Sequence, residues 1–370
     1  MSSRVSAALR PRVLAAALGL VVMVVVPFYA EPFLLQAGLF AMAAAVGAIG
    51  LNLLTGSTGQ LSMGHAFFLA VGAYGYVYFA AEPHDELAGL GLPTPVAVVL
   101  AVLLAGLAGG LFSPIAGRLR GTYLGIASLA LIFIGQHVLH NAEAVTGGAN
   151  GRDVPSLELL GFSFADAPEL VVLQVPFRAL EKLWFLSLIV LLAAAWVARG
   201  VLRGRPGRAM ATIRDHEIAA GVMGVPVARY RAGVFVLSSM YAGLAGVLLA
   251  MAFRRTVPEY FGIILSLEYL AMIVIGGLGS VAGAMAGAAF VSLLPPLFTR
   301  YGDGLPLIAA PGTEGVSPAE ASRILYGAAV VAVVLFFPGG LLGLWARIRA
   351  LPGARRRPHP VPRMKAEEQT

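Results

Sequence analysis

Long apolar runs separated by short polar stretches dominate the chain. Several of these runs extend for 17 or more residues without a charged side chain, including 13–30, 34–54, 95–113, 233–253 and 324–346. A helix of that length crosses the ~30 Å hydrocarbon core of a bilayer. A transmembrane β-barrel would show alternating segments of about 10 residues, and the sequence has no such pattern. The pattern therefore predicts an all-α integral membrane protein.

Shorter apolar segments between these runs bring the predicted number of membrane-embedded helices to about ten, some of them broken. Apolar length defines each segment, and polar or Gly-rich stretches define the boundaries. The predicted segments are 13–30, 34–54, 65–81, 95–113, 121–139, 183–200, 233–253, 267–278, 281–299 and 323–346.

The composition supports this class, since 58% of residues are hydrophobic and only 12% are charged, against about 25% charged in soluble domains. With the N-terminus inside and sides alternating, 19 of the 26 basic residues fall in the cytoplasm, as does the C-terminus. Cytoplasmic loops of membrane proteins carry an excess of Lys and Arg. The net charge of +7 therefore follows membrane topology and does not indicate nucleic-acid binding. Arg254 and Arg255 are exceptions on the predicted outer side.

The same topology divides the chain into a permease domain, residues 1–346, and a tail, residues 347–370. Within the domain we predict a cytoplasmic loop at 201–232 and an external loop at 140–182. The tail is basic and contains Pro358, Pro360 and Pro362, a composition typical of a disordered cytoplasmic segment.

Residues 207–224 form a charged island within the cytoplasmic loop. Their spacing predicts one short amphipathic helix, with Arg214, Asp215, His216 and Glu217 on its polar side. Ala209, Ile213, Ala220 and Met223 tend to the other side. Because a charged helix outside the bilayer has no membrane function, we interpret this segment as a binding site for another protein.

A polar, Gly-rich interruption lies between two apolar runs at Thr55–Gly64. Irregular backbone at membrane depth is tolerated where it is buried in protein or faces a water-filled cavity. Its exposed backbone groups suit a path for a small polar solute, and the alternative is an ordinary interfacial loop. The candidate path residues, with two ionisable groups at span margins, are Thr55, Ser57, Gly59, Gln60, Ser62, His65 and Glu268.

The two ionisable candidates, His65 and Glu268, are costly enough within a membrane to suggest function, although both side chains could instead reach an interface. His137 and His140 lack a third ligand nearby, so we predict no metal site. The sequence shows no catalytic motif. Neither of its two lysines lies in the Gly-rich sequence of a Walker A loop, which binds ATP phosphates. We therefore expect no cofactor, no enzymatic activity, and ATP hydrolysis only in a partner.

Three sequence blocks, the second in two adjoining parts, resemble the permease subunits of branched-chain amino-acid ABC importers, with a closer similarity to the LivM type. They are LNLLTGSTGQLSMGHAFFLAVGAY (51–74), GRAMATIRDHEIAAGVMGVPVARYR (207–231), VFVLSSMYAGLAGVL (234–248) and SLEYLAMIVIGGLGSVAGAMAGA (266–288). The similarity covers about residues 35–300, in the same order along the chain.

The resemblance implies a bacterial inner-membrane heterodimer with a second, LivH-type permease. It also implies two cytoplasmic ATPases and a periplasmic substrate-binding protein. The segment 207–224 would then be the coupling helix that docks on an ATPase, although Gly221 and Pro226 depart from the family pattern. The coupling residues it suggests are Gly207, Arg208, Arg214, Asp215, Glu217 and Gly224.

Alternative functions remain open at this point. Urea permeases of the same superfamily share much of the pattern, so the solute is urea, another small polar molecule or a branched-chain amino acid. An ion-coupled secondary transporter is a further alternative, but such proteins use buried acidic or histidine side chains, and Glu268 is the only acidic residue assigned inside a span. An embedded enzyme would need an acid, base or nucleophile set that the sequence does not contain.

Overall fold

The computed structural model describes residues 17–84, 87–119, 121–172, 175–301, 318–336, 340–341 and 343. The predicted tail 347–370 lies outside this range, as do the first residues of the segment 13–30 and part of 323–346. Throughout the described chain, helices form the body of the molecule and short strands are confined to loops.

The helices follow the order of the predicted segments along the chain. Their bounds are α1 Ala17–Tyr29, α2 Pro32–Thr58, α3 His65–Ala80, α4 Thr94–Arg118, α5 Thr122–Asn141, α6 Glu143–Thr146, α7 Ala179–Arg203, α8 Arg205–Asp215, α9 Glu217–Val222, α10 Val227–Phe253, α11 Ile263–Gly276, α12 Val281–Tyr301 and α13 Pro318–Phe336.

Six of the described helices are long and apolar enough to cross a membrane: α2, α4, α5, α7, α10 and α12. Three apolar helices, α1, α3 and α11, are shorter as described. The all-α membrane class is therefore confirmed, whereas about ten embedded helices and an inside location for both termini remain predictions.

The centre of the molecule is the pair α2 and α10, whose residues are mostly buried. α10 packs against α2, α3 and α4, and α2 also packs against α7 and α12. The contact between α3 and α10 is backbone to backbone, since a Cβ at Gly72 would overlap Gly243 and a Cβ at Gly246 would overlap the Leu69 carbonyl. Small residues allow such close helix packing in membranes.

The loop between α5 and α7 is more ordered than the sequence indicated. It contains α6, a short 3-10 helix and several short strands, and it ends at Arg178 because α7 begins at Ala179. Its strands are β1 Arg152–Asp153, β2 Glu158–Leu159, β3 Phe162–Ser163, β4 Leu170–Val172 and β5 Val175–Phe177, and β6 Arg255–Thr256 follows α10. β1 pairs with β6, β2 with β3 and β4 with β5, each antiparallel.

This strand-bearing loop explains the two exceptional arginines after α10. Arg254 pairs with Asp166 at 2.7 Å, and Arg255 pairs with Asp153 at 3.0 Å. The hydrogen bond from Arg254 holds the pKa of Asp166 below its usual value. Arg254 and Arg255 therefore lie on the same side as the loop, where acidic partners offset their charge. We call this side the loop end.

The opposite side of the molecule carries α8 and α9. α2 begins at the loop end, where Phe40 packs against Phe253 near the end of α10. Its last turn contacts α8, where Arg214 Nη1 donates to the Gly56 carbonyl at 3.0 Å. We call this side the α8 end. With 27 residues and a rise of 1.5 Å per residue, α2 spans about 40 Å between the two ends.

Candidate solute path and coupling segment

α3 begins in the middle of the molecule and not at its surface. Its first residue, His65, is buried, and its Nε2 donates to the Gly47 carbonyl at 3.0 Å. Gly47 lies about 16 Å along α2 from Thr58, at a rise of 1.5 Å per residue. Residues 59–64 therefore run back from the end of α2 to about half its depth. A short helix that starts at this depth is a broken span.

Two helices, α5 and α11, hold the backbone of this break. Met63 N donates to Ser128 Oγ of α5 at 2.9 Å. On α11, Ser266 Oγ accepts a hydrogen bond from Ala66 N at 3.2 Å and donates to the Met63 carbonyl at 2.5 Å. Backbone groups freed by the missing helical turns thus find side-chain partners, as irregular backbone in a membrane requires.

Side chains along the break alternate between the protein interior and its surface. Gln60, Ser62 and Gly64 are buried, Leu61 and Met63 are half-buried, and Gly59 is exposed. The accessible side is therefore formed by Gly59, Leu61 and Met63, whereas the predicted polar path residues Gln60 and Ser62 face inward in this structure.

The break is shorter than the sequence indicated, because α2 continues as a helix through Thr55–Thr58. The Ser57 and Thr58 hydroxyls donate to the Leu53 and Leu54 carbonyls of the preceding turn, so these residues satisfy their own hydrogen bonds within the helix. The Thr55 hydroxyl is buried without a hydrogen-bond partner. α2 ends at Gly59, whose φ of 73° is a left-handed conformation that favours glycine.

The two ionisable candidates lie in different surroundings. His65 is 2% exposed, and its ring packs edge-on against Tyr269 of α11 with centroids 5.0 Å apart. Glu268 is half-buried on the neighbouring position of α11, a helix that also contacts α13. The structure therefore brings His65 to the start of α3 beside the break and places Glu268 toward α13.

The coupling segment is two helices and not the single helix that its sequence indicated. α8 ends at Asp215, His216 is extended with φ −151° and ψ 93°, and α9 begins at Glu217. Ile213 and Ala220 are buried, as the amphipathic pattern predicted. Met223 does not share that side, since it is 76% exposed.

The predicted coupling residues are spread over both helices. Gly207 is buried where a Cβ would overlap the Leu202 carbonyl, so α8 can follow α7 closely. Arg208 is exposed on α8. Gly224 follows α9 with φ 81°. Asp215 pairs with the neighbouring Arg214 at 3.2 Å on the surface.

Glu217 faces the protein and not the surface. Its two carboxylate oxygens accept hydrogen bonds from Arg231 of α10 at 2.8 and 2.9 Å. The two side chains are 25% and 11% exposed, respectively. This bidentate pair ties the start of α9 to α10, a geometry that guanidinium and carboxylate groups match well.

The surface of α9 is apolar. Ile218 and Val222 are 81% and 85% exposed, and their spacing of four residues places them on one side of the helix. Met223 directly follows the helix and is 76% exposed, and we call these three residues the apolar face of α9. They lie at the α8 end beside exposed charged residues of α8. Large exposed apolar side chains rimmed by polar residues are typical of protein–protein interfaces.

Several polar residues that organise the site were missed by sequence reasoning. Ser128 and Ser266 look like ordinary small residues within apolar segments, and Asn52 is a single amide in an apolar run. Asn52 Nδ2 donates to the Ser280 carbonyl, and its Oδ1 accepts from Gly279 N, both at 2.9 Å. A lone polar side chain within a predicted span was the available signal, because such groups are costly in a membrane without partners.

Comparison with known proteins places these features in a family context. Residues 33–334 match a family model described as the branched-chain amino acid transport system permease component. No solved structure matches the chain significantly.

Two high-affinity branched-chain amino acid transport system permease proteins named LivM are among the relatives. The Salmonella typhimurium protein is 28% identical over 87% of this chain and 73% of its own length. The Escherichia coli protein is 28% identical over 80% of this chain and 66% of its own. The Escherichia coli permease protein LivH is 25% identical over 81% of this chain and 91% of its own. The chain thus spans about two thirds to three quarters of these LivM proteins.

Proposed function

The chain belongs to the family of branched-chain amino acid transport permease components, and from this we propose that it is the membrane subunit of an ATP-driven importer. It pairs with a second, LivH-type permease in a bacterial inner membrane and forms half of the solute path. Two cytoplasmic ATPases supply the energy, and a periplasmic binding protein delivers a branched-chain amino acid.

The observation that carries this proposal is the exposed apolar face of α9, formed by Ile218, Val222 and Met223. The α8–α9 segment connects α7 to α10, two helices long enough to span a membrane. It lies opposite the strand-bearing loop, on the side that carries the clustered arginines. A partner that binds both the apolar face and the adjacent charged residues of α8 fits this surface, and the ATPase is the partner that an importer requires.

Co-expression with candidate ATPases tests the docking role of α9. We expect Ile218→Asp with Val222→Asp to abolish co-purification of the ATPase, because two carboxylates would replace apolar contacts in the interface. The matched control is Leu160→Asp with Val171→Asp, two exposed apolar residues of the strand-bearing loop at the opposite end of the molecule. Normal ATPase binding by the α9 variant would remove this face from the interface.

A comparison of the uptake of labelled leucine with that of labelled urea identifies the solute. Proteoliposomes that contain both permeases, the ATPases and the binding protein should accumulate leucine when ATP is inside. Urea accumulation without leucine uptake would assign the chain to the urea-transporting alternative.

The break between α2 and α3 is the part of the chain that we assign to the solute path. Leu61 and Met63 lie on its accessible side, where they suit a branched aliphatic side chain. The polar groups of the solute need replacement for their hydration, and the buried Thr55 hydroxyl, which has no hydrogen-bond partner, would supply one such group when the path opens beside it. In this assignment Gly59 lies on the accessible side with Leu61 and Met63. The other predicted path residues pack behind or beside that side, and they are Ser57, Gln60, Ser62, His65 and Glu268.

Met63→Trp tests the path assignment. The larger ring should block the accessible side, so leucine uptake should fall at least tenfold while the ATPases still co-purify. Ile264→Trp, on an α11 residue that is 71% exposed, controls for the effect of an added indole ring. Ser62→Trp is a poorer test because Ser62 is buried and the variant would disrupt packing. Normal uptake by Met63→Trp would leave the break as a packing loop.

A further inference from the structure

Three elements meet at one point at the α8 end of the molecule. They are α8, the last turn of α2 and the turn between α11 and α12. Arg214 of α8 donates to the Gly56 carbonyl at 3.0 Å, and a Cβ at Gly56 would overlap the backbone nitrogen of Gly279. The backbones of α2 and the α11–α12 turn are thus in direct contact at Gly56. We call this meeting point the junction.

Asn52 fastens the turn to α2. Its amide nitrogen donates to the Ser280 carbonyl and its amide oxygen accepts from Gly279 N, each at 2.9 Å. One buried side chain therefore binds a donor and an acceptor of the same turn. Such a two-point contact fixes the position of the turn along α2 and also its orientation.

Arg214 also gives one of the last carbonyls of α2 a hydrogen-bond partner. The last carbonyls of a helix have no partner within the helix, and they carry the negative end of its dipole. No basic residue lies in the last turn of α2 itself, so the cation comes from α8. Nearby, Met210 of α8 is fully buried, with its Sδ 3.6 Å from the Ser57 hydroxyl.

We propose that Arg214 and Asn52 are positioning residues that make α8, the end of α2 and the α11–α12 turn move as one unit. This inference rests on the proposed function, since the displacement begins when an ATPase moves the α8–α9 segment. The junction then carries that displacement to both sides of the break. Gly59 follows α2 directly, and Ser266, which holds Met63, lies on the helix that ends at the turn.

The test uses the complete importer reconstituted in proteoliposomes, with Arg214→Met in this chain. ATPase co-purification should be retained, and ATP hydrolysis should stay within twofold of the unchanged complex. Leucine uptake per ATP hydrolysed should fall at least tenfold. Arg229→Met is the matched control, because Arg229 is an exposed arginine in the first turn of α10. Asn52→Leu should resemble Arg214→Met, because it breaks the other contact of the junction.

A fluorescent probe reports on the turn independently of the solute. The chain contains no cysteine, so Leu278→Cys, at a position that is 55% exposed, gives a single labelling site. A non-hydrolysable ATP analogue should change the fluorescence in the otherwise unchanged complex. Arg214→Met should reduce that change at least fivefold.

A covalent link should replace the lost contact. Ser57→Cys and Met210→Cys joined by a short bifunctional thiol reagent should restore at least half of the uptake in the Arg214→Met background. The same link should leave uptake intact when Arg214 is present, because the joined elements move together. Arg214→Lys, which keeps the charge and a donor, should retain intermediate uptake.

The outcomes separate this inference from the proposed function. Absence of ATPase binding by the unchanged chain would overturn the proposed function, and the inference with it. An ATPase that binds and hydrolyses ATP without a fluorescence change at position 278 would overturn the junction alone. Full uptake per ATP in Arg214→Met, or a block of uptake by the covalent link in the presence of Arg214, would also overturn it.

Discussion

Glu217 shows how the environment of one side chain changes its expected role. From the sequence, a carboxylate in a charged cytoplasmic segment is a contact for a partner. In the structure it pairs with Arg231 through two hydrogen bonds, and most of its surface is covered. Its structural effect is therefore to hold α9 against α10, so that the apolar face of α9 is presented in a fixed direction.

A charge exchange distinguishes these two roles. Glu217→Arg should lose uptake with normal membrane insertion, because it faces Arg231 with a like charge. We expect a cost of about 1–3 kcal/mol, between that of exposed and buried ion pairs. The double variant Glu217→Arg with Arg231→Glu should recover most of the uptake, measured as leucine accumulation in proteoliposomes.

Arg229→Glu controls for a reversed charge on the same turn of α10, and it should leave uptake unchanged because Arg229 is exposed. A double variant as inactive as Glu217→Arg alone would mean that Glu217 contacts the ATPase directly.

Among the elements, α3 and α10 depend most on the absence of side chains. Gly72, Gly243 and Gly246 bring the two backbones into contact. Gly246→Val should reduce the yield of folded, monodisperse protein in detergent, because its Cβ would overlap the Leu69 carbonyl. Overpacking costs about 1–3 kcal/mol in cores that can adjust, and a rigid backbone adjusts less. Size-exclusion chromatography and thermal unfolding measure the effect.

Gly233→Val is the matched control on the same helix, since no atom lies within 4 Å of a Cβ at Gly233. Equal loss of folded protein in both variants would show that helix propensity, and not the close contact, causes the effect.

The element boundaries show which features the sequence could predict. Apolar length indicated each helix, because burial in lipid requires a long apolar segment regardless of tertiary contacts. The end of α2 was not predictable in the same way. Thr55–Thr58 read as a polar interruption, but the Ser57 and Thr58 hydroxyls bond to the helix itself. Of the two glycines at 56 and 59, only Gly59 adopts the left-handed conformation that ends the helix.

The location of the candidate site along the chain was predictable, because local sequence patterns mark its segments. The Gly-rich polar block located the break, and the charged island located α8 and α9. Whether each residue faces the protein interior or the surface was not predictable, because contacts between residues distant in sequence determine it. Asn52 with Gly279 and Arg214 with Gly56 join residues 227 and 158 positions apart. No local pattern contains that information, and the extended conformation of His216 has no local breaker such as Gly or Pro.

For the whole molecule, the distribution of charge between the two ends of α2 indicates how the protein is oriented in the membrane. Basic residues cluster at the α8 end, and the loop end carries acidic residues that pair with Arg254 and Arg255. We therefore expect both termini and α8 in the cytoplasm. Cysteines introduced at Ser2 and Ala366 should resist an impermeant thiol reagent in intact cells, while one at Ala88 should react.

Permeabilised cells provide the control, since all three positions should react once the reagent can enter. The natural absence of cysteine removes background labelling. Reaction at Ser2 in sealed cells would reverse the assigned orientation.

The short α3 also constrains how the chain is made. With 16 residues it starts at half-depth, and it packs against α4 and α10, of which α10 is synthesised much later. At about 5–20 residues per second, the ribosome needs roughly 10–35 seconds to proceed from the end of α3 to the end of α10. During that interval the break and its unbonded backbone lack Ser266, their later partner on α11. Nascent chains released before α11 emerges should therefore be the preferred substrates of membrane quality-control proteases.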